Sequence, residues 1–476
     1  MRRKTKIVAT LGPAVNSREA IADLITAGMN VAQLNFSHGD HAEHARRFAW
    51  VRAVAHEADT PIAIMQDIQG PKIRVGTFAE GAVELATGST VTLVPGEGEG
   101  AEDTVHVAYL DGVELQPGAP ILLADGLITL RADSVAEGRV VATVTAGGLL
   151  SDHKGASFPG ARTTIPVVTE KDEEDLTFGL ELGFDLVAAS FVTEGSDLRT
   201  IRKIVGDVPI IAKIESAIGY ANLDDILEEA DGAMVARGDL GVELSLQSVP
   251  GAQNEILKKT NASGKISITA TEMLESMISS PRPTRAEVTD VYRSVIDGTD
   301  AVMLSAETAI GAYPEDSVRT MDIVCREAEA SPDFERNPDV SGLADRSRFA
   351  SAIAEASVDT ANRLDLNTIV AFTETGSTAR LLSKYRPHAD VYAFTTIEST
   401  YRRMAVYGGI TPMRFDRQHS TDDMIMNAEG RLLEQGIVRP GEGLVMVAGI
   451  PPNQRASTNI MKLHAVGTSV TGDLRR

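Results

Sequence analysis

The stretch IIAKIES, residues 210–216, decides how this chain is to be read. It opens on apolar residues, as a strand buried on both faces would. It then places Lys213 and Glu215 two positions apart, on one face of that strand. An ammonium and a carboxylate at such a tip are either a satisfied ion pair at the edge of a core or the floor of an active site. Recurrence discriminates between the two. Short runs rich in Val, Ile and Ala that end in polar or small residues occur at KIVATLG (6–12), VAQLNFS (31–37), IAIMQD (62–67), DLVAASF (185–191), PIIAKIE (209–215), GAMVARGD (232–239), KISITATE (265–272) and AVMLSAE (301–307).

Helical patterns separate these runs. SREAIADLITAG carries Ile21, Leu24 and Ile25 at helical spacing and ends on Gly28, a C-terminal cap. SDLRTIRKIVGD, NLDDILEEADG and RAEVTDVYRSVIDG repeat the arrangement. Eight strand–helix units predict an α/β fold built on a (β/α)8 TIM barrel, whose active site sits at the C-terminal strand ends. The tips carry Asn35, Ser37, Asp67, Lys213, Glu215, Arg237, Asp239, Thr271, Glu272, Ser305 and Glu307. Polar side chains at tip after tip favour a shared site over separate structural pairs.

The spacing breaks once. Residues 70–165 are Gly-rich, with short alternating runs such as STVTLVPG, DTVHVAY and GRVVATVTAGG. They predict an inserted β-barrel lid domain after the third strand. The catalytic barrel is therefore expected over 1–69 and 166–344. From 345 to 476 the order changes to helix RFASAIAEASVDTANRL, strand TIVAFTE, helix TARLLSKY, strand VYAFTT and two further α/β pairs, which predicts a C-terminal α/β regulatory domain. Its turn TETGSTAR (373–380) sets Gly, Ser and Thr between a strand and a helix, where free N–H groups and the helix dipole suit a phosphate; a plain capped helix start fits equally well.

With 476 residues, 43% hydrophobic and 24% charged, the composition is that of a soluble globular chain. No run of about 18 apolar residues points to a membrane span. The start MRRKTKIVATLGP reads as a strand, not a signal segment. Cys325 is the sole cysteine, which excludes an intrachain disulfide framework and suits the cytoplasm. The net charge of −22 argues against nucleic-acid binding, yet leaves room for a small anionic substrate among a few local cations.

Glu215 and Asp239 lie on adjacent tips without a histidine or cysteine beside them, a donor set for Mg²⁺ or Mn²⁺. Lys213 adds the cation that, with a metal, is the minimum for stabilising a transferring phosphoryl group. No GK[ST] phosphate loop is present. Two classes remain open on these grounds: a phosphotransferase, and a metal-dependent lyase or aldolase acting on pyruvate-like acids.

Taken together, LNFSHG (34–39), GPKIR (70–74), KGASFPG (154–160), KIES (213–216), VARGDLGVE (235–243), ATEMLESM (270–277), PRPTRAE (281–287) and DAVMLSAET (300–308) resemble the pyruvate kinase family, in order and spacing, over essentially the whole chain. The resemblance implies transfer of the phosphoryl group of phosphoenolpyruvate to ADP, giving pyruvate and ATP in glycolysis. It implies Glu215 and Asp239 as Mg²⁺ ligands and Lys213 as the cation on the phosphoryl in flight. Gly238, Asp239 and Thr271 would bind the substrate carboxylate. Thr271 and Ser305 would serve the proton relay to the enolate carbon. Asn35, His38, Arg74 and Lys154 would contact the nucleotide. Asn35, Ser37, Asp67 and the Ile68 carbonyl match the family's K⁺ site. Thr373, Thr375, Gly376, Ser377 and Thr378 match an effector loop for a sugar phosphate or AMP. A homotetramer is the family's usual assembly.

Four positions depart from the family pattern. Gln33 stands where an arginine usually grips the substrate phosphate. Lys72, with Ile68 and Gln69, follows the members that need no K⁺, and its ammonium would replace the monovalent cation. Glu272 replaces the usual glutamine and Ala306 the usual glycine. Gln33 and Glu272 keep a second expectation in play, a catalytically weak paralogue that senses phosphorylated metabolites.

Overall fold

The structure, a computed structural model, describes residues 2–136, 138–335, 340, 343, 348–450 and 457–468. Eight parallel strands close a barrel: β1 (Lys6–Thr10), β2 (Val31–Asn35), β3 (Ala63–Asp67), β4 (Leu186–Ala189), β5 (Ile210–Ile214), β6 (Gly232–Ala236), β7 (Ile266–Ala270) and β8 (Ala301–Leu304). These are the eight runs read from the sequence. Almost every strand residue is buried, because helices cover the outer face and side chains fill the interior. β1 pairs with β8 in the register Ala9↔Leu304, which shuts the ring.

The helices start and stop where side chains satisfy their free ends. Helix α1 (Glu170–Leu182) follows the lid and begins with a reciprocal Thr169–Asp172 capping box. The other Asp172 oxygen accepts from Gly70 N at 3.2 Å, so one cap ties both chain crossings near the lid to the barrel. Helix α2 (Arg237–Glu243) begins directly at the tip of β6, and helix α3 (Arg285–Asp297) opens on a Thr284–Glu287 capping box.

The insertion between β3 and α1 is all β. Six strands form one sheet in the order Ala156–Ser157, Pro120–Leu123, Ile128–Ala136, Arg139–Ala146, Thr90–Pro95, Thr104–Val107. Three two-stranded ladders complete the wrap, so the expected barrel-like lid is built from several short sheets around one core that includes Val91, Leu93, Val105, Ile121, Leu130 and Val144.

The C-terminal domain is a five-stranded sheet of β9 (Thr368–Phe372), β10 (Asp390–Thr395), β11 (Ile410–Arg414), β12 (Gly443–Ala448) and β13 (Ile460–Ala465), ordered β11-β10-β9-β12-β13. The last strand runs antiparallel along the edge, which the α/β pairing pattern did not anticipate. The expected 344/345 boundary lies outside the described residues. One apolar cluster runs unbroken from the barrel interior (Val8, Val31, Met65, Ile211, Ile268, Met303) into this domain (Ala354, Ile369, Val391, Val445), so the domain caps the barrel's base. Among the described residues no helix is long and apolar enough to cross a membrane.

Candidate active site

The barrel mouth gathers the tips of β2 to β8 under the lid, beside a cleft of about 800 Å³ lined by Lys72, Phe191, Glu215, Asp239 and Glu243 among others. Lys213 is its hub. The ammonium lies 2.8 Å from Ser190 Oγ, 3.0 Å from Glu215 Oε1 and 3.3 Å from Asp67 Oδ1. Burial by itself lowers the pKa of Lys213, but Asp67 and Glu215 outweigh it and hold the group above the ordinary lysine value. Burial pushes the Glu215 carboxyl up to about 6; Lys213 pulls against that shift, and Asp239 adds to it.

Glu215 also accepts from Phe191 N at 2.6 Å. Asp67 accepts from Ser190 and from the Gln33 amide. The result is a chain of contacts from Gln33 through Asp67, Ser190 and Lys213 to Glu215. Two atoms at the mouth stand outside it: among the described residues, Gln33 Oε1 and Ser305 Oγ are buried without a partner.

Three consecutive carbonyls of the β7 tip and the start of α2 meet through Arg237, and Gly238 N donates to Thr271 Oγ1 at 2.8 Å. Thr271 (φ 65°) and Glu272 (φ 54°) are left-handed, as is Phe191 (φ 56°). Thr271 is the only β-branched residue so placed among those described, at a cost on the order of 1–3 kcal/mol. Strain of this kind collects where geometry serves chemistry.

Carboxylate oxygens are the donors a hard divalent cation prefers, and Glu215 and Asp239 supply two of them. Asp67, Glu215 and Asp239 set three negative charges against the ammoniums of Lys213 and Lys72, which leaves the mouth short of positive charge. Among the described residues no group of three or more His, Cys, Asp or Glu forms an all-protein metal cage. A cation completed by water and substrate oxygens, as Mg²⁺ usually is, fits this set.

Lys72 reaches the mouth from the lid side. Its ammonium is 3.1 Å from Asp239 Oδ1 and 5.8 Å over the Phe191 ring, and not on the Asn35, Ser37, Asp67, Ile68 set. That set is internally engaged: Asn35 Oδ1 accepts from Ser37 N, the Ile68 carbonyl accepts from Ser190 Oγ, and the cation on Asp67 is Lys213. His38 is exposed, and its carbonyl accepts from His44 Nε2. Lys171 on α1 donates to the Phe36 carbonyl at 2.8 Å and fixes the loop that carries Asn35 and His38. Arg74 and Lys154 stand on the two segments that cross at the lid's neck, joined by Val75 N donating to the Lys154 carbonyl at 2.9 Å.

Ser190, Lys171 and the contact of Ser157 in the lid with Glu243 on α2 were given no role by the sequence. Each shows only once distant segments meet. Glu307, counted among the tips, is a staple: it accepts from Leu274 N and Ser305 N. Glu272 is exposed. In the C-terminal domain, Gly376 is left-handed (φ 86°) at the start of helix α4 (Ser377–Lys384), and its N–H is taken by Thr373 Oγ1. Thr375 and Ser377 are exposed, whereas the Thr378 hydroxyl is buried against Thr458.

Comparison with known proteins gives a consistent result. A family model described as pyruvate kinase, barrel domain, matches residues 2–318, and one described as pyruvate kinase, alpha/beta domain, matches residues 351–464. The chain is 43% identical to a pyruvate kinase of Staphylococcus aureus and 44% identical to one of Staphylococcus saprophyticus, in each case over 98% of this chain and 81% of the relative. A crystal structure of a pyruvate kinase from Cryptosporidium parvum superposes with a TM-score of 0.91 at 35% identity, covering 98% of this chain and 96% of that one.

Proposed function

The chain belongs to the pyruvate kinase family and transfers the phosphoryl group of phosphoenolpyruvate to ADP, and from that premise we propose how its own side chains divide the work. Lys213 places its ammonium beside the phosphoryl in flight and offsets the charge on its oxygens. Ser190, Asp67 and Glu215 keep that ammonium charged and aimed. Glu215 and Asp239 hold a divalent cation, Mg²⁺ or Mn²⁺. When bound, it supplies positive charge to the substrate carboxylate and the enolate oxygen. The Gly238 N–H and Thr271 hydroxyl, already in contact, orient the carboxylate. Thr271 and Ser305 carry the proton to the enolate carbon through water, and the unpartnered Ser305 Oγ supports this. Arg74, Lys154, Asn35 and His38 face the nucleotide under the lid.

The carrying observation is the convergence of Lys213 with Asp67 and Glu215 at one mouth, beside the left-handed Thr271. A lactate-dehydrogenase-coupled assay tests it: pyruvate forms from phosphoenolpyruvate only with ADP and divalent metal together. Pyruvate without ADP would point to the lyase class, and none under any condition to a metabolite sensor.

The finer readings have their own measurements. K⁺ is not required, because the Lys72 ammonium near the substrate stands in for the monovalent cation; strong activation by K⁺ in a salt-free assay would refute this. The 373–378 turn binds a phosphorylated effector, a sugar phosphate or AMP; flat kinetics across such a panel removes it. The chain works in the cytoplasm as a homotetramer, which sedimentation of the purified protein checks.

A further inference from the structure

The Arg237 side chain has no part in that division of labour, yet it is 8% exposed and bonded on every side. It is the first residue of α2. Its Nε donates to the carbonyls of Ala270 at 3.3 Å and Thr271 at 3.1 Å, and its Nη2 donates to those of Thr271 at 2.6 Å and Glu272 at 3.0 Å. Its Nη1 is held by Asp290 of α3. One planar cation thus grips three consecutive carbonyls, those of the two left-handed residues and of the residue before them.

A left-handed threonine relaxes toward the extended or right-handed region unless its surroundings over-determine it. Either relaxation rotates the peptides that follow Thr271 and turns their carbonyls off the guanidinium. The residue after Arg237 supplies the second grip, since Gly238 N donates to Thr271 Oγ1. The start of α2 therefore holds the β7 tip at its backbone and at its side chain together. Lysine is no substitute, because a point charge on a flexible stem does not span three carbonyls as a rigid fork does.

We infer that Arg237 is a positioning residue for the reaction: its guanidinium, anchored by Asp290, locks Thr271 and Glu272 in the left-handed conformation that presents the Thr271 hydroxyl to the substrate. The inference rests on the reading of Thr271 as a site residue.

A double-mutant cycle on turnover tests it. Arg237→Lys is expected to lower kcat about 30-fold or more, and Thr271→Ala at least as much. The double variant should fall no lower than Thr271→Ala alone, since the clamp acts only through Thr271. Free guanidinium should restore about tenfold of the rate lost by Arg237→Ala, and none of that lost by Thr271→Ala. Additive losses in the double variant, or Arg237→Lys turning over within about twofold of the parent, would overturn the clamp. Should Arg237→Lys fail to fold by circular dichroism, Asp290→Asn carries the test, with an expected loss of about three- to tenfold that vanishes in the Thr271→Ala background. Unchanged turnover in Asp290→Asn then counts against the clamp. Parental turnover in Thr271→Ala sinks the reading of Thr271 first, a result distinct from a Thr271-sensitive enzyme indifferent to Arg237.

Discussion

Both ends of the barrel carry charged residues and use them differently. At the base, under the C-terminal domain, charges find partners among backbone groups and one another. Asp185 accepts from Ile64 N, from Arg52 and from Arg402 of the C-terminal domain, at 2.8, 2.7 and 2.8 Å. Asp300 accepts from Ser267 N and from Lys384. Lys6 donates to the Ile410 carbonyl at 2.7 Å, and Lys4 donates to the Pro387 and His388 carbonyls. At the mouth, carboxylates outnumber ammoniums around Lys213, two buried polar atoms lack partners, and a β-branched residue is left-handed. Charge alone does not mark a site. What marks the mouth is the convergence of several carboxylates on one lysine beside a left-handed, β-branched residue, an arrangement that costs free energy.

If that distinction holds, substitutions at the mouth should cost rate and those at the base should cost stability. The largest effect belongs to Lys213→Met. Its kcat should fall about 10³- to 10⁴-fold, roughly 4–5.5 kcal/mol of transition-state stabilisation. A coupled assay on protein shown folded by circular dichroism checks this, and turnover within tenfold of the parent would erase the mouth's special status.

Next comes Lys384→Met at the base. It strands the buried Asp300 carboxylate and should remove about 3–5 kcal/mol of stability, read as a lower midpoint in urea. Turnover per folded molecule should stay within about twofold. A catalytic loss at full folding would show that the base is part of the machinery.

Gln33→Arg sharpens the comparison from the other side. The amide is tied to Asp67 and contributes no charge, so an arginine should add a charge-assisted phosphate contact of about 1.5–3 kcal/mol. The expected gain in kcat/KM for phosphoenolpyruvate is about ten- to a hundredfold. No gain would mean that Lys213 and the metal already saturate the phosphate.

The last prediction is a pH slope at the base. Burial pushes the Lys6 ammonium down to about 7 from 10.5. Between those values the unfolded chain holds a proton that the folded chain has released, so stability rises as pH climbs from about 7 toward 10.5. Melting temperature against pH should show a rise that Lys6→Met flattens. Identical slopes in both proteins would mean that Lys6 stays charged where it lies.

Much of this was legible in the chain. The eight apolar runs map onto the eight barrel strands, because a strand covered on both faces must be apolar throughout and a sequence displays that directly. Lys213, Glu215 and Asp239 were singled out by spacing and by the chemistry of their donor set. What escaped were partners that are neighbours only in space. Ser190 closes an otherwise apolar run, and nothing near it signals that it bridges Lys213 and Asp67 from another strand. Lys72 was read as a stand-in for the monovalent cation, and that its ammonium reaches Asp239 shows only in the fold.

By itself the sequence determined the strand–helix alternation, the place of the insertion, and which residue types stand at the strand ends. The same runs begin on Lys6, Asp185 and Lys265 and end on Glu215, Asp239 and Glu272, so both ends look equally charged on paper. Only the tertiary structure decided that the carboxylates of one end converge on a single lysine, while those of the other are shared among backbone groups and cations of a second domain. The reason is that hydrogen-bond satisfaction and left-handed backbone belong to pairs of segments packed against each other, and closing the ring and seating the C-terminal domain settle which atoms find partners.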